Sequence, residues 1–310
     1  MKNAREKSDS VIVAMKSSNK AGSRKVMPVA ETMEPRTGAK ENAKQQSMRR
    51  AQNRESVKQA LGRVRQAVRL RKTERFTTLF HHLTIDLLRL SFLALKRDAA
   101  AGVDGVKWGD YESNIESNLA DLHARIHQQI PGRAYRAQPS RRRFIPKADG
   151  RQRPLAVAAL EDKIVQRATA TILNQIYEED FLGFSYGFRP KRSQHDALDA
   201  LMTGIGASKV KWIIDADIQG FFDAVSQEWL VRFLEHRIGD KRIIRLIRKW
   251  LMAGVLEEGV MTVSDRGDGA RIGDFTFARQ HLSALRFRPL GRTLATARGY
   301  RRHDHYALRR

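Results

Sequence analysis

Apolar residues recur at helical spacing through most of the middle of this chain. Val57, Leu61, Val64 and Val68 fall three or four residues apart inside an Arg-rich stretch from Glu41 to Lys72, the pattern of an amphipathic helix. Phe76, Leu79, Phe80, Leu83, Leu87 and Leu90 keep the same spacing and predict a second helix with a buried stripe. His81 and His82 sit beside that stripe, in a structural role. Further helices are expected over Tyr111 to Gln129, from Glu161 to about Tyr177, over Gln227 to Ile238, and over Lys241 to Val255. Their core faces are Val165, Ala168, Ile172 and Ile176; then Leu230, Phe233 and Leu234; then Ile244, Ile247 and Leu251.

The period changes in three places. Ala101-Gly102-Val103-Asp104-Gly105-Val106 is a glycine-punctuated turn. Arg141 to Leu155 contains Asp149-Gly150 between two extended runs, a strong hairpin signal. That hairpin is either a surface ribbon with a solvated basic face or a fingertip whose cations meet a triphosphate. Trp212-Ile213-Ile214-Asp215-Ala216-Asp217 reads as a short apolar strand presenting carboxylates at its end, followed by Gly220-Phe221-Phe222-Asp223 and a helix. Such a carboxylate can face a cleft. It can equally belong to an acidic loop, with Asp223 capping the next helix.

Charge narrows the field. Lys and Arg number 58 against 34 Asp and Glu, a formal charge of +24. This excess points to a polyanionic partner, nucleic acid first and an anionic membrane surface second. The absence of cysteine excludes disulfides and thiolate metal sites. No apolar run reaches the length of a membrane span, and Val11 to Met15 is too short for a signal-peptide core, so a cytoplasmic protein is expected. Residues 1 to about 40 carry Lys, Ser, Ala, Gly and Pro without aromatics, the composition of a disordered basic leader. For Glu41 to Lys72, a solvated helix and an RNA-gripping helix both remain open.

Several of these segments, in order, resemble the reverse transcriptases of group II introns. Ala101-Gly102-Val103-Asp104-Gly105 is similar to their Ala-Gly-x-Asp-Gly element. Ile145-Pro146-Lys147-Ala148-Asp149-Gly150-Arg151-Gln152-Arg153-Pro154-Leu155 is similar to their Ile-Pro-Lys-x-Asp-Gly-x-x-Arg-Pro-Leu block. Ser185-Tyr186-Gly187-Phe188-Arg189-Pro190-Lys191-Arg192-Ser193-Gln194-His195-Asp196-Ala197-Leu198 is the most specific match, and Asp217 to Asp223 resembles the first catalytic motif. The resemblance implies an α+β, helix-rich fold: a right-hand reverse transcriptase with fingers and partial palm only, behind a basic N-terminal extension. It implies an RNA-directed DNA polymerase using Mg²⁺, with intron RNA, a DNA primer or target, and deoxynucleoside triphosphates as partners and no membrane. Asp217 would be the bridging carboxylate and the Ile218 carbonyl a further metal ligand. Lys147 and Arg153 would face the triphosphate, and Phe222 would sit under the sugar and exclude a 2′-hydroxyl. Arg189 and Arg192 are expected to meet RNA or template. Asp223 and His195 are assigned no catalytic step.

The resemblance stops near Gly267. The family's Gly-x-x-Gln-Gly-x-x-x-Ser-Pro-Leu-Leu-Ala-Asn block and its Tyr-Ala-Asp-Asp hairpin are not present. Residues 268–310 contain ten arginines but neither lysine nor glutamate. Codons allowed for Asp268 to Leu285, read one base later, spell Thr-Gly-Gln-Gly-Ser-Val-Ile-Ser-Pro-Leu-Leu-Ala-Asn-Ile-Tyr-Leu-His-Tyr. Codons allowed for Arg298 to Arg309 spell Glu-Ala-Thr-Gly-Asp-Met-Ile-Ile-Met-Arg-Tyr-Ala, with Asp permitted next. A one-base frameshift near Gly267 accounts for both. The expected organisation is therefore 1–72 as extension, 73–267 as fingers and the start of the palm, and 268–310 as a poorly ordered out-of-frame tail. Three functional expectations follow: a polymerase inactive in this form, a non-catalytic intron-RNA-binding maturase fragment, or a decayed gene product.

Overall fold

A computed structural model gives the fold and describes residues 37–128, 132–146, 150, 152–187, 189–208, 210–213 and 226–263. The expected tail at 268–310 and nearly all of the expected leader lie outside these residues. Chain contacts divide the protein into two units, 1–46 and 47–310. The described part of the first is the start of helix α1 (Thr37–Leu70).

In the second unit α1 continues as the spacing predicts. Leu61, Val64 and Val68 are buried and Val57 packs against them, while the arginines between remain outside. One face of this helix is therefore core, whatever its other face binds.

The second predicted helix is shorter than its apolar stripe. Phe76 forms an isolated bridge with Ile238, Phe80–His82 is a single 3₁₀ turn, and α2 occupies Ile85–Leu93. Thr84 explains the break. Its hydroxyl caps α2 by accepting from the Leu87 N–H at 3.3 Å. Asp240 holds the preceding stretch, its carboxylate accepting the N–H groups of Leu79 (2.8 Å) and Phe80 (2.9 Å). Leu79, Phe80, Leu83 and Leu87 are still buried: the spacing located the core residues but not the break. Burial raises the Asp240 carboxyl, yet these N–H groups, that of Arg242 and the Arg242 charge together hold it below the usual range.

The Tyr111–Gln129 segment also divides, into α3 (Trp108–Glu112) and α4 (Ile115–Gln128). Trp108 stacks on Phe92 at 4.7 Å and its indole donates to the Phe92 carbonyl, closing the turn at 101–106 against α2. Within that turn Gly102 has no room for a side chain, since a Cβ would lie 2.5 Å from the Ala159 Cα.

The core is organised on α5 (Leu160–Asp180). Val165, Ala168, Ile172 and Ile176 are each 0% exposed, as predicted, and Leu173 joins them. Each large side chain buried this way contributes about 1.5–3 kcal/mol. Helix α2 packs on both α5 and α4. A buried polar cluster braces the far side: Tyr135 donates to Asp162, which also accepts the Gln138 N–H at 2.9 Å, and the Trp250 indole donates to the Tyr135 hydroxyl at 2.7 Å.

Beyond α6 (Gln194–Ala207) come α7 (Gln227–Arg237) and α8 (Lys241–Met252), packed on each other. Leu230, Leu234, Ile244, Ile247 and Leu251 are buried as expected. Phe233 is not: it is 43% exposed and faces Trp229 at 6.0 Å. Arg237, paired with Asp180 at 2.7 Å, joins the end of α7 to the end of α5.

Helix α8 stops before Val255 because Gly254 takes φ +86°. Val255 instead begins a strand. The sheet has the order β2-β1-β3-β4. Strands β1 (Ser140–Pro146) and β2 (Gln152–Val157) are antiparallel, with Pro146 opposite Gln152 and Gly150 at φ +79°, as Asp149-Gly150 predicts. Strand β3 (Val255–Glu257) runs parallel to β1, and β4 (Val260–Thr262) returns antiparallel. Glu258 and Gly259, at φ +48° and +85°, make the tight turn between them.

Candidate nucleic-acid interface

The loop from Phe181 to Ser193 is built around Arg189. Its guanidinium turns inward: Nη2 donates to Glu178 at 2.9 Å, Nη1 donates to the carbonyls of Ser185 (2.8 Å) and Leu182 (3.1 Å), and the group lies over the Phe181 ring. Arg189 is only 9% exposed. Its guanidinium thus shapes the loop from within. Such a buried, fully engaged fork is costly to remove.

Arg192 is exposed. Its guanidinium rests over the Tyr186 ring at 5.0 Å and touches the Gly183 carbonyl at 3.4 Å. Lys191 precedes it in a left-handed conformation, φ +60°. The loop then enters α6 through a reciprocal cap: the Asp196 N–H donates to Ser193 Oγ, and the Ser193 N–H donates to Asp196. That backbone bond from Ser193 is the main reason the Asp196 carboxyl lies below its usual range. Lys191, Arg192 and His195 stay exposed. A cation stacked on an aromatic ring, on a loop anchored from within, suits contact with phosphate and base.

Two further basic surfaces lie on the arginine-rich segments that the sequence already marked. Arg141 and Arg143 are exposed on β1, where a cavity of about 600 Å³ is lined by them, Arg142 and Glu257. Arg142 pairs with Glu257 at 3.1 Å, so β3 holds one of the three in place. Between α1, α2 and α5 lies a groove of about 450 Å³, with Arg54, Lys58 and Arg167 on its rim and Val57, Leu61 and Leu87 beneath. Arg69 from α1 pairs with Glu179 of α5 at 3.1 Å, and that hydrogen bond is the first reason the Glu179 carboxyl is lowered.

His82 is held neutral. Burial, with the charges of His81 and Arg63, pushes it down to about 4. Among the described residues no three His, Asp or Glu side chains gather as a metal site. Lys147, Asp217, Ile218 and Phe222 lie outside the described residues, and Arg153 is placed by its backbone alone, opposite Ile145 in the hairpin. The apolar run expected to begin a strand at Trp212 does not do so over its described part. Trp212 and Ile213 have no regular structure and are 88% and 67% exposed. A strand persists only where a neighbour takes its backbone bonds.

Residues 145–279, from the β1–β2 hairpin through the anchored loop and beyond, match the model of the reverse transcriptase (RNA-dependent DNA polymerase) family. The Escherichia coli protein YkfC is 34% identical over 178 residues, 56% of this chain and 46% of that protein. The group II intron-encoded protein LtrA of Lactococcus lactis is 32% identical over 186 residues, 59% of this chain and 30% of its own length. A 91 kDa protein in the cob intron of Schizosaccharomyces pombe is 34% identical over 176 residues, 57% of this chain and 21% of that one. Over this part the chain is similar to the reverse transcriptase family and to group II intron-encoded proteins. It spans less than half the length of these relatives. A reverse transcriptase domain is thus present in a helix-rich chain with a small mixed sheet. Among the described residues no helix is long and apolar enough to cross a membrane.

Proposed function

We propose that this chain is the front part of an RNA-directed DNA polymerase of group II intron type, that it binds intron RNA, and that it does not extend primers as it stands. The observation that carries the reading is the reverse transcriptase match over 145–279, which contains the hairpin, the Arg189-anchored loop and Asp217. In this reading Lys147 and Arg153 meet the deoxynucleoside triphosphate, Phe222 selects the sugar, and Arg192 contacts RNA. Arg189 acts by holding the loop. Asp217 and the Ile218 carbonyl would hold Mg²⁺, which stabilises the attacking and leaving oxygens of nucleotidyl transfer when bound. One strand does not supply a complete set of ligands for two such ions. The rest of the set would come from a frame one base later after about Gly267, in which case residues 268–310 form an out-of-frame tail.

The test has two measurements. Primer extension on an RNA template with Mg²⁺ is expected to be undetectable, and activity lost on Asp217→Ala would overturn that expectation. Binding to intron RNA is expected to exceed binding to random RNA of equal length and to fall steeply with salt. A second reading, a maturase-like RNA-binding protein without polymerase chemistry, is favoured by the basic surfaces on α1, β1 and the loop at Arg192. Specific RNA binding without extension fits both. Restoring the reading frame separates them, since only the first regains extension.

A further inference from the structure

Helix α1 carries a glycine that its own packing does not require. Gly62 lies inside the helix, is exposed, and has no positive φ. A Cβ built there would meet nothing within 4 Å, unlike one at Gly102. Glycine inside a helix is less stable than alanine. The missing side chain leaves open one wall of the groove of about 450 Å³ between α1, α2 and α5.

That groove is elongated and held in shape. Arg54, Lys58 and Arg65 line it from α1, and Arg167, Thr171 and Gln175 line it from successive turns of α5. Arg54 to Arg65 covers about three turns of helix, or about 16 Å. Val57, Leu61, Leu87 and Leu90 form the apolar floor. Asn53 donates to Asp86 at 2.7 Å, joining α1 to α2, while Arg65 and Arg69 pair with Glu179, joining α1 to α5.

The rim and the floor together select an occupant. Among the described residues Arg54 and Arg167 have no acidic partner, and Lys58 has only Glu55, one turn away on the exposed surface. None of the described lining residues is acidic or aromatic. Single-stranded nucleic acid is gripped by rings that stack on its bases as well as by cations, and this floor offers no ring. An aliphatic floor under a cationic rim complements an amphipathic helix with acidic flanks. A glycine in the wall lets the backbone of such a helix approach closely.

We propose that the groove between α1, α2 and α5 is a docking site for an acidic amphipathic helix of a partner protein. The proposal goes beyond the polymerase and RNA-binding readings and depends on neither. Arg63, outside the groove, stays exposed and available to RNA.

The experiment uses the full 310-residue chain and a labelled synthetic peptide about four turns long, with Leu along one helical face and Glu on both flanks. Binding is followed by fluorescence anisotropy. One control is the same composition scrambled, which keeps the charge and so accounts for the general attraction of a +24 chain for any acid. The other carries Lys in place of Glu. Both controls should bind at least about tenfold more weakly. Gly62→Leu should fill the groove and weaken the Glu-flanked peptide about tenfold or more, with a melting temperature equal to the parent's or higher. The double variant Arg54→Glu, Arg167→Glu should shift preference from the Glu-flanked to the Lys-flanked peptide. Equal binding of the scrambled peptide would overturn the proposal, as would undiminished binding to Gly62→Leu. An oligoribonucleotide that displaces the peptide and itself loses affinity in Gly62→Leu would assign the groove to RNA and overturn it too. Should Gly62→Leu melt lower than the parent, the double variant decides: an unchanged preference between the two peptides rejects the docking site.

Discussion

Helices α5 and α6 flank one loop and meet opposite fates. Ten residues of α5 are buried, including Leu173 and Ile176, while α6 buries none although Leu198, Leu201, Met202 and Ile205 are spaced to do so. Local sequence is adequate for both helices: each has an apolar face, and α6 has the better cap. The difference is what lies opposite. Helix α5 meets α2, and the cluster of Tyr135, Asp162 and Trp250 braces its first turns. On α6, Leu198, Leu201 and Met202 stay exposed while Ile205 is half-buried. Amphipathicity is thus a demand for a partner and does not show that the partner is present.

Truncating the covered helix should have the largest effect. Ile172→Ala is expected to cost roughly 2–5 kcal/mol in chemical denaturation, and Leu198→Ala less than about 0.5 kcal/mol. Equal losses would mean that α6 is packed in solution. Next comes the loop between them. Arg189→Ala should cost about 3 kcal/mol, because Glu178 is left without its partner and the carbonyls of Leu182 and Ser185 lose their donor. A melting temperature unchanged in Arg189→Ala would show that the loop is not anchored from within.

The third test uses pH. Burial lifts the Asp162 carboxyl to about 6, against the opposing hydrogen bonds from Tyr135 and Gln138. Its folded value lies above its unfolded one, so this contribution favours folding most below the unfolded value and is lost as pH rises through about 6. At about 1.4 kcal/mol per unit, the loss is at most about 3 kcal/mol. Asp162→Asn should flatten the stability profile between about pH 4 and 6 relative to the parent chain. Parallel profiles would contradict the assignment. The smallest effect is at the exposed cation. Arg192→Ala should leave stability within about 0.5 kcal/mol and reduce the salt slope of RNA binding by about 1. An unchanged slope would remove Arg192 from the interface.

Much of the fold was legible because periodicity reports burial wherever a helix meets a core. The stripe of α5 and the faces of α7 and α8 were readable, apart from Phe233. The hairpin at Asp149-Gly150 was readable because positive φ at glycine is a local property. The β3–β4 hairpin was missed although Glu258-Gly259 carries a related signal. Its strands are only three residues each, too short to show a period. The candidate site was legible chiefly through its resemblance to a family, since Lys147, Asp217, Ile218 and Phe222 lie outside the described residues.

What the sequence settled alone was local: where helices can form, which turns need glycine, and that the net charge is +24. What tertiary structure decided was which of those possibilities found a partner. The stripe at Phe76 to Leu90 is broken at the Thr84 cap, and the stretch before it is held by an aspartate far along the chain, Asp240, whose carboxylate accepts the Leu79 and Phe80 N–H groups. Arg189 was turned inward by Glu178 while Arg192, three residues on, stayed out, and neither fate is visible in a list of arginines. Periodicity is a property of one segment, whereas burial and hydrogen-bond satisfaction need two.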